Sequence, residues 1–281
     1  MTIAHRAPGN HLYHYTSAKT ATLILDSRKL LFGSMQKVND PKEFSDWRLE
    51  PVLNSADIKS RQVSIFNRKI SHRCKEITQA LCFSMDSLHS RNNGHAYYRS
   101  GCLGRGFGNS PMWHFYGEKH KGVCFAFNKN LLLEQLNSKT QGKFYRHGEI
   151  CYDDEFLPND HNHPYQYDLD RLLEIGLENY CYEFLKRSLE YIYFKKQTAW
   201  SYENEYRAIV VNDSANRFPL DYGSSLDSII FGVNCSDKTK LAIRSIAEPK
   251  GVPCHDLIVI NHTLQLNLQP DFSSIFKDVK Q

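Results

Sequence analysis

The residues best suited to chemistry are polar side chains set within apolar, strand-like segments of the 281-residue chain. In the carboxyl-terminal third of the chain, Glu205 and Arg207 come just before the apolar run Ala208–Val211. Alternate residues of a strand point to the same face of a sheet, so Glu203, Glu205 and Arg207 are expected to share one face. An arginine on that face can pair with a carboxylate or with a pyrophosphate.

A histidine lies in a similar setting near the other end of the chain. His14 falls in the strand-like segment Leu12–Tyr15, and a helix is predicted from Thr16 or Ser17 to about Lys29. Hydroxyl side chains at these positions are typical helix N-caps. The first N–H groups of the helix are therefore expected to be available for phosphate or amide oxygens.

The strands that position these residues are short and are bounded by turn-forming residues. We predict strands at Leu12–Tyr15, Ala80–Ser84, Gly122–Phe127, Glu149–Tyr152, Glu205–Val211, Ser228–Val233, Leu257–Ile260 and Leu264–Leu268. Apolar periodicity predicts two further helices, over about Asp57–Ile77 and about Asp168–Phe194. The irregular order of strands and helices favours an α+β fold over a repeated βαβ sheet.

Charge is unevenly distributed, although 35 basic and 31 acidic residues give a net charge of only +4. Residues 59–75 carry six basic and no acidic side chains. Arg61, Arg68 and Lys75 are spaced by seven, on the helix face opposite the apolar stripe. This face is interpreted either as a nucleic-acid contact or as a solvated helix side.

Residues 87–111 are rich in Gly, Ser and Asn, and this composition predicts a mobile loop. Arg91, Arg99 and Arg105 alternate there with aromatic residues, a pattern that suits single-stranded nucleic acid or a plain surface loop.

Several classes of site are excluded by missing motifs. The chain has no P-loop, no nucleophile-elbow motif and no C-x-x-C pair, and its histidines lack ligand-like spacing, so no metal site is expected. No apolar run approaches the roughly 18 residues of a membrane span. We expect a cytoplasmic protein without a membrane partner.

Five short motifs, taken in order, resemble the bacterial domain of unknown function 2971 family. They are Tyr13-His14-Tyr15-Thr16, Asn39-Asp40-Pro41, Cys82-Phe83-Ser84, the block from Met112-Trp113 to Val123, and the block from Trp200 to Arg207. The resemblance covers about residues 11–260. Lys42 departs from it, because members of the family usually have an aromatic residue after N-D-P.

The opening strand also resembles that of the ADP-ribosyltransferase superfamily, which has a histidine on its first strand, a central tyrosine and a glutamate on a later strand. This resemblance implies His14, Tyr116 and Glu205 as catalytic residues, with Glu203 the alternative carboxylate. It implies NAD as the cofactor, which is consumed as the substrate, and a split β-sheet core with helical insertions. The residues then expected to contact NAD are His14, Tyr15, Thr16, Ser17, Asn39, Asp40, Ser84, Trp113, Tyr116 and Arg207, with Trp113 or Tyr116 stacking on nicotinamide.

The resemblance thus predicts one domain over residues 1–281, with a helical insertion at 165–196, that transfers ADP-ribose from NAD to a macromolecule. RNA or DNA is the favoured acceptor and a protein is the alternative. A role as a bacterial toxin or antiphage effector, with an antitoxin partner, would fit such an activity. NAD glycohydrolysis and a non-catalytic nucleotide-binding or partner-binding module remain open alternatives.

Overall fold

The computed structural model describes residues 3, 9–52, 60–87, 102, 104–154, 164–214 and 216–267, without the side chains of 60–62. The strands are β1 His11–Thr16, β2 Lys29–Leu31, β3 Gly33–Ser34, β4 Glu50–Val52, β5 Thr78–Ser84, β6 Val123–Asn128, β7 Tyr145–Glu149, β8 Cys151–Tyr152, β9 Gln166–Asp168, β10 Lys195–Lys196, β11 Glu205–Val211, β12 Pro219–Asp221, β13 Leu226–Phe231, β14 Cys254–Ile260 and β15 Thr263–Leu266. The α-helices are α1 Ala18–Ser27, α2 Pro41–Phe44, α3 Ser60–Ile77, α4 Ser110–Phe115, α5 Lys129–Lys139, α6 Leu169–Tyr193 and α7 Asp237–Ala247.

The chain divides into two compact units. Unit 1 comprises residues 1–28, 84–132 and 223–281, and unit 2 comprises residues 29–83 and 133–222. Both units combine strands with helices, which confirms the α+β class. The single domain predicted over residues 1–281 stays a prediction.

Unit 1 is built on a mixed sheet with strand order β15-β14-β13-β6-β1. β6 is antiparallel to both β1 and β13, and His14 lies opposite Phe125 in this register. Helix α1 begins as predicted, because the Ser17 hydroxyl accepts a hydrogen bond from the Thr20 N–H at 3.2 Å. Its apolar face buries Ala21, Ile24 and Leu25.

Unit 2 places β11 between β5 and β7, and all seven residues of β11 are buried. The predicted strand Glu205–Val211 is therefore confirmed with its bounds. Helices α3 and α6 pack against each other beside a continuous apolar core. Helix α6 confirms the long helix predicted near Asp168, which is its N-cap, although Gly176 interrupts the helical backbone at φ 78°.

One local prediction is wrong. The strand predicted at Glu149–Tyr152 is split, because β7 ends at Glu149 and β8 pairs instead with β10 in parallel. The mobile loop predicted over residues 87–111 stays a prediction, although Gly106–Gly108 near its end form a buried turn and α4 begins at Ser110. Residues 88–101 and 103 lie outside the described residues.

Among the helices that the structure describes, none is both long and apolar enough to cross a membrane. Within the same described ranges, no group of three or more His, Cys, Asp or Glu side chains could hold a metal ion.

Candidate active site

Five charged side chains form a buried group in unit 2, which we call the ionic cluster. It contains three carboxylates and two cations, and each residue is at most 5% exposed. The members are Glu43, Lys196, Glu203, Glu205 and Arg207. Charges are buried at a large cost in desolvation free energy unless they pair and form hydrogen bonds, so this group is the most unusual electrostatic feature of unit 2.

Arg207 is the centre of the ionic cluster. Its Nε donates to Glu205 Oε1 at 2.6 Å and its Nη2 donates to Glu205 Oε2 at 3.1 Å, which is a bidentate pair. Its Nη1 donates to the Tyr193 carbonyl at 2.7 Å and to the Glu43 carboxylate. The predicted carboxylate pairing of Arg207 is therefore confirmed, and its predicted contact with a pyrophosphate is wrong because these groups enclose the guanidinium.

Lys196 joins the two candidate glutamates. Its Nζ lies 2.6 Å from Glu203 Oε2 and 2.8 Å from Glu205 Oε2. Glu203 ends a short 3-10 helix, Thr198–Glu203, whereas Glu205 is the first residue of β11. The two carboxylates therefore meet on one ammonium group, although only Glu205 belongs to the strand.

The pKa directions follow from this geometry. Burial alone would raise the pKa of Glu205, but Arg207 and Lys196 outweigh it and lower this pKa to about 2. Burial alone would lower the pKa of Lys196, but the negative charge of Glu205 outweighs this effect and raises the pKa. Glu205 is therefore a carboxylate, and Lys196 an ammonium, throughout the physiological pH range.

The N-D-P motif supplies Glu43 to the ionic cluster. The Asp40 side chain accepts a hydrogen bond from the Lys42 N–H at 2.9 Å and so caps α2, with Pro41 at its first position. This short helix turns Glu43 towards Arg207, 164 residues further along the chain. The predicted NAD contact of Asp40 stays a prediction: Asp40 is 2% exposed and its Oδ1 holds this turn, whereas its buried Oδ2 has no hydrogen-bond partner among the described residues. The contact predicted for the neighbouring Asn39 stays a prediction.

Lys42 and Lys75 hold α2 in place. Lys42 Nζ donates to the Lys195 carbonyl at 2.9 Å, next to Lys196 of the ionic cluster. Lys75 Nζ donates to the carbonyls of Phe44 and Ser45 at the end of α2. These backbone contacts fix the position of Glu43 from two sides.

Cys82 of β5 lies beside Glu205 of the ionic cluster. Six of the seven residues of β5 are buried, and Cys82 is the exposed one. Desolvation raises the pKa of its thiol well above the ordinary value. The negative charge of Glu205 raises this pKa further, and the positive charge of Arg207 lowers it. Cys82 therefore lies at the surface beside Glu205 and is a neutral thiol at physiological pH.

Unit 1 contains the other predicted catalytic residues. His14 lies on β1 and is half-buried, and the half-buried Tyr116 caps the carboxyl end of α4. Trp113 of α4 packs edge-on against Tyr15 of β1, with ring centres 5.0 Å apart. Tyr116 thus follows a helix that packs on the strand of His14, and the catalytic roles of both residues stay predictions.

Three predicted NAD contacts in this unit are corrected by burial. Trp113 is fully buried and its Nε1 donates to the Phe107 carbonyl at 2.7 Å, so its predicted stacking on nicotinamide is wrong. Tyr15 is 7% exposed and its hydroxyl donates to the Gly106 carbonyl. Ser84 is 1% exposed opposite Tyr13. All three residues hold the core of unit 1 together.

The amino end of α1 is occupied by a carboxylate of the chain. Ala18 N–H donates to Glu118 Oε2 at 3.1 Å, and the Thr20 and Ala21 N–H groups bond to Ser17. Thr16 itself is 8% exposed. The contacts predicted for Thr16 and Ser17 stay predictions, and a phosphate bound at this helix end would displace the Glu118 carboxylate.

The predicted nucleic-acid contacts separate into three groups. Lys75 and Arg105 are 3% and 4% exposed, so the nucleic-acid contacts predicted for them are wrong. Lys75 binds the carbonyls at the end of α2, and Arg105 pairs with Asp86 at 3.2 Å. Arg68 has an exposed side chain that lies 3.6 Å from Asp46, and its role stays a prediction. The side chains of Arg61, Arg91 and Arg99 lie outside the described residues.

Glu43 and Lys196 are the members of the ionic cluster that sequence reasoning missed. Glu43 follows Asp40 by three residues, the spacing of an acidic capping motif, so its place in the first turn of a helix could have been predicted. Its long-range partner Arg207 could not, because nothing local links the two positions. Lys196 carries no recognisable signal within the chain.

Residues 112–208 match the family model described as protein of unknown function (DUF2971). The match confirms the family resemblance for two of the five motifs, the block from Met112 to Val123 and the block from Trp200 to Arg207, and it includes the segment that contributes Lys196, Glu203, Glu205 and Arg207. No curated protein and no solved structure was found to match the chain.

Proposed function

We propose that this DUF2971 protein is an NAD-dependent ADP-ribosyltransferase in which Glu205 stabilises the reacting sugar. One observation carries the proposal: the ionic cluster has three carboxylates but two cations, so one formal negative charge is in excess in a buried site. A transient positive charge on a ligand would neutralise this excess negative charge. We propose that this ligand approaches beside Cys82, the exposed residue of β5.

Cleavage of NAD generates such a charge. As the bond between nicotinamide and ribose breaks, nicotinamide leaves with the bonding electron pair and the anomeric carbon becomes oxocarbenium-like. A fixed carboxylate at low dielectric stabilises that cation without reorganising. Glu205 is suited to this role because Arg207 and Lys196 lower its pKa to about 2 and orient both of its oxygens.

The acceptor then attacks the anomeric carbon through an oxygen or nitrogen and loses a proton. We keep RNA or DNA as the proposed acceptor, supported by the exposed Arg68 of α3, and protein as the alternative. The roles that the resemblance implies for His14, a ribose contact, and for Tyr116, a stacking contact with nicotinamide, stay predictions, because both residues belong to unit 1. A proposed toxin or antiphage role predicts that expression slows bacterial growth and that Glu205→Gln relieves the effect.

The test is incubation of the purified chain with NAD labelled in its adenylate half, alone and with RNA, DNA or a cell protein extract. Label on RNA or DNA supports the proposal, and label on protein supports transfer with the alternative acceptor. Free ADP-ribose in every incubation identifies a glycohydrolase. Intact NAD in every incubation overturns the enzymatic proposal.

A further inference from the structure

The connection from α4 to β6 in unit 1 contains a strained turn. Glu118, Lys119 and His120 are three consecutive residues with positive φ, at 52°, 53° and 67°. The left-handed region is unfavourable for residues that have a Cβ, and such residues normally occur there singly. Strain of this kind persists only where surrounding contacts hold it, and it is concentrated at functional sites.

Backbone contacts hold this turn from two sides. The Lys119 N–H donates to the His114 carbonyl at 3.3 Å, and the His120 N–H donates to the Trp113 carbonyl at 3.1 Å. On the other side, the Asn234 N–H donates to the His120 carbonyl at 2.9 Å. The His120 ring also stacks on the buried Trp113, with ring centres 6.4 Å apart. The turn is therefore fixed in position by the core of unit 1.

An exposed aromatic residue lies next to the cations of this turn. Phe115 ends α4 and is 63% exposed, and its ring packs edge-on against that of His114 with centres 5.1 Å apart. Because the backbone of Lys119 bonds to that of His114, Lys119 follows closely on this aromatic pair. Lys119 and Lys121 are both exposed, and neither forms an ion pair with any residue that the structure describes.

The carboxylate of the turn is already engaged. Glu118 Oε2 accepts a hydrogen bond from the Ala18 N–H at 3.1 Å, at the amino end of α1, where the helix dipole favours a negative charge. The residue after Ala18 is the exposed Lys19, which brings a third cation near the turn. We call Phe115 and the three lysines 19, 119 and 121 the basic-aromatic surface.

We propose that the basic-aromatic surface binds a single-stranded polynucleotide. Phosphates would pair with its lysines and an unpaired base would stack on Phe115, which are the two contacts that sequence-tolerant binding of single strands combines. A duplex offers the same phosphates but no free base faces, and an acidic protein would use the lysines without a base for Phe115. The inference goes beyond the proposed function, because binding at this turn requires no cleavage of NAD.

Binding is measured without NAD, by the fluorescence anisotropy of end-labelled oligo(U) and oligo(dT) over a range of salt concentrations. Labelled DNA duplex and labelled polyglutamate are the comparisons. Phe115→Ala should weaken single-strand binding roughly tenfold without changing its salt dependence, as the loss of one stacked base implies, and Phe115→Tyr should retain it. The double variant Lys119→Gln/Lys121→Gln should reduce the slope of log affinity against log salt by about 1.4, because each phosphate contact with a single strand contributes about 0.7.

Matched controls separate this surface from general charge and apolarity. Lys139→Gln/Lys186→Gln removes two exposed lysines of unit 2 and so makes the same change in net charge. Leu241→Ala removes an apolar side chain of α7 that is 69% exposed. We expect both controls to bind single strands as the wild type does. Thermal unfolding of each variant identifies any that fail to fold.

Unchanged affinity in folded Phe115→Ala, a salt slope of Lys119→Gln/Lys121→Gln equal to that of its control, or no single-strand binding by the wild type would each overturn the inference. Tighter binding of polyglutamate than of oligo(U) would assign the surface to an acidic protein and overturn it as well. Single-strand binding without release of nicotinamide from NAD supports this surface and removes the proposed enzyme. Release of nicotinamide by a chain that binds no single strand supports the enzyme and removes this surface.

Discussion

Arg207 is the residue whose loss unit 2 should tolerate least. Arg207→Met retains most of the side-chain length but removes the charge and every donor. Glu205 and Glu43 then lose their arginine partner, the Tyr193 carbonyl loses a donor, and the ionic cluster keeps one cation, Lys196, for its three carboxylates. Breaking a buried ion pair by removing one partner costs about 3–5 kcal/mol, and we expect the upper part of this range because two carboxylates are affected.

The assay is urea unfolding followed by the fluorescence of Trp47, which lies in the core of unit 2. Arg146→Met is the matched control, because Arg146 lies on the neighbouring strand β7 and pairs with Glu190 at 3.1 Å with both side chains more than half exposed. An exposed pair of this kind should contribute less than about 1 kcal/mol. Equal losses of unfolding free energy in the two variants would refute the electrostatic account of the ionic cluster.

The remaining predictions concern acid stability, α3 and the cap of α2. Because the folded pKa of Glu205 is lowered from 4.5 to about 2, its stabilisation is present above the unfolded value and is lost as pH falls towards 2. In urea titrations at decreasing pH, Glu205→Gln should therefore lose less unfolding free energy than the wild type. Lys75→Met should lower the unfolding free energy by about 1–3 kcal/mol without changing RNA affinity in filter binding, whereas Arg68→Glu should weaken RNA binding without unfolding the chain. Asp40→Ala should cost about 1 kcal/mol in urea unfolding and slow nicotinamide release by displacing Glu43.

Local patterns correctly predicted the longer strands of the sheet and three of the helices. Strand β11 and the Ser17 cap of α1 follow from adjacent residues, namely an apolar run and a hydroxyl at a helix start. Helices α2, α4, α5 and α7 were not predicted. In α5, Leu131 faces solvent, which weakens the apolar periodicity.

Charged residues were the least predictable from the sequence. Lys75 lies in a basic helical segment, yet the carbonyls at the end of α2 bury its ammonium group. Arg105 lies in a glycine-rich segment, yet Asp86 and Tyr13 enclose its guanidinium. In both cases a partner distant in the sequence decides burial, and composition alone contains no information about that partner.

The pairing of Glu205 with Arg207 was predictable because strand alternation puts both side chains on one face. The excess carboxylate was not, because it depends on Glu43 reaching Arg207 from the N-D-P turn. The candidate site therefore combines one local motif with one long-range contact. The charge balance of the site becomes visible only when both are known.

Release of nicotinamide from NAD by the wild type, Glu205→Gln and Glu43→Gln tests the central claim most directly. Both substitutions remove one carboxylate charge from the ionic cluster and leave two acids facing two cations, so they are matched in charge. We expect both variants to fold, Glu205→Gln to lose release by at least about a hundredfold, and Glu43→Gln to retain a measurable part of it. Wild-type release that is unchanged in folded Glu205→Gln, or no release by the wild type, would contradict the assignment of Glu205 as the charge-stabilising carboxylate.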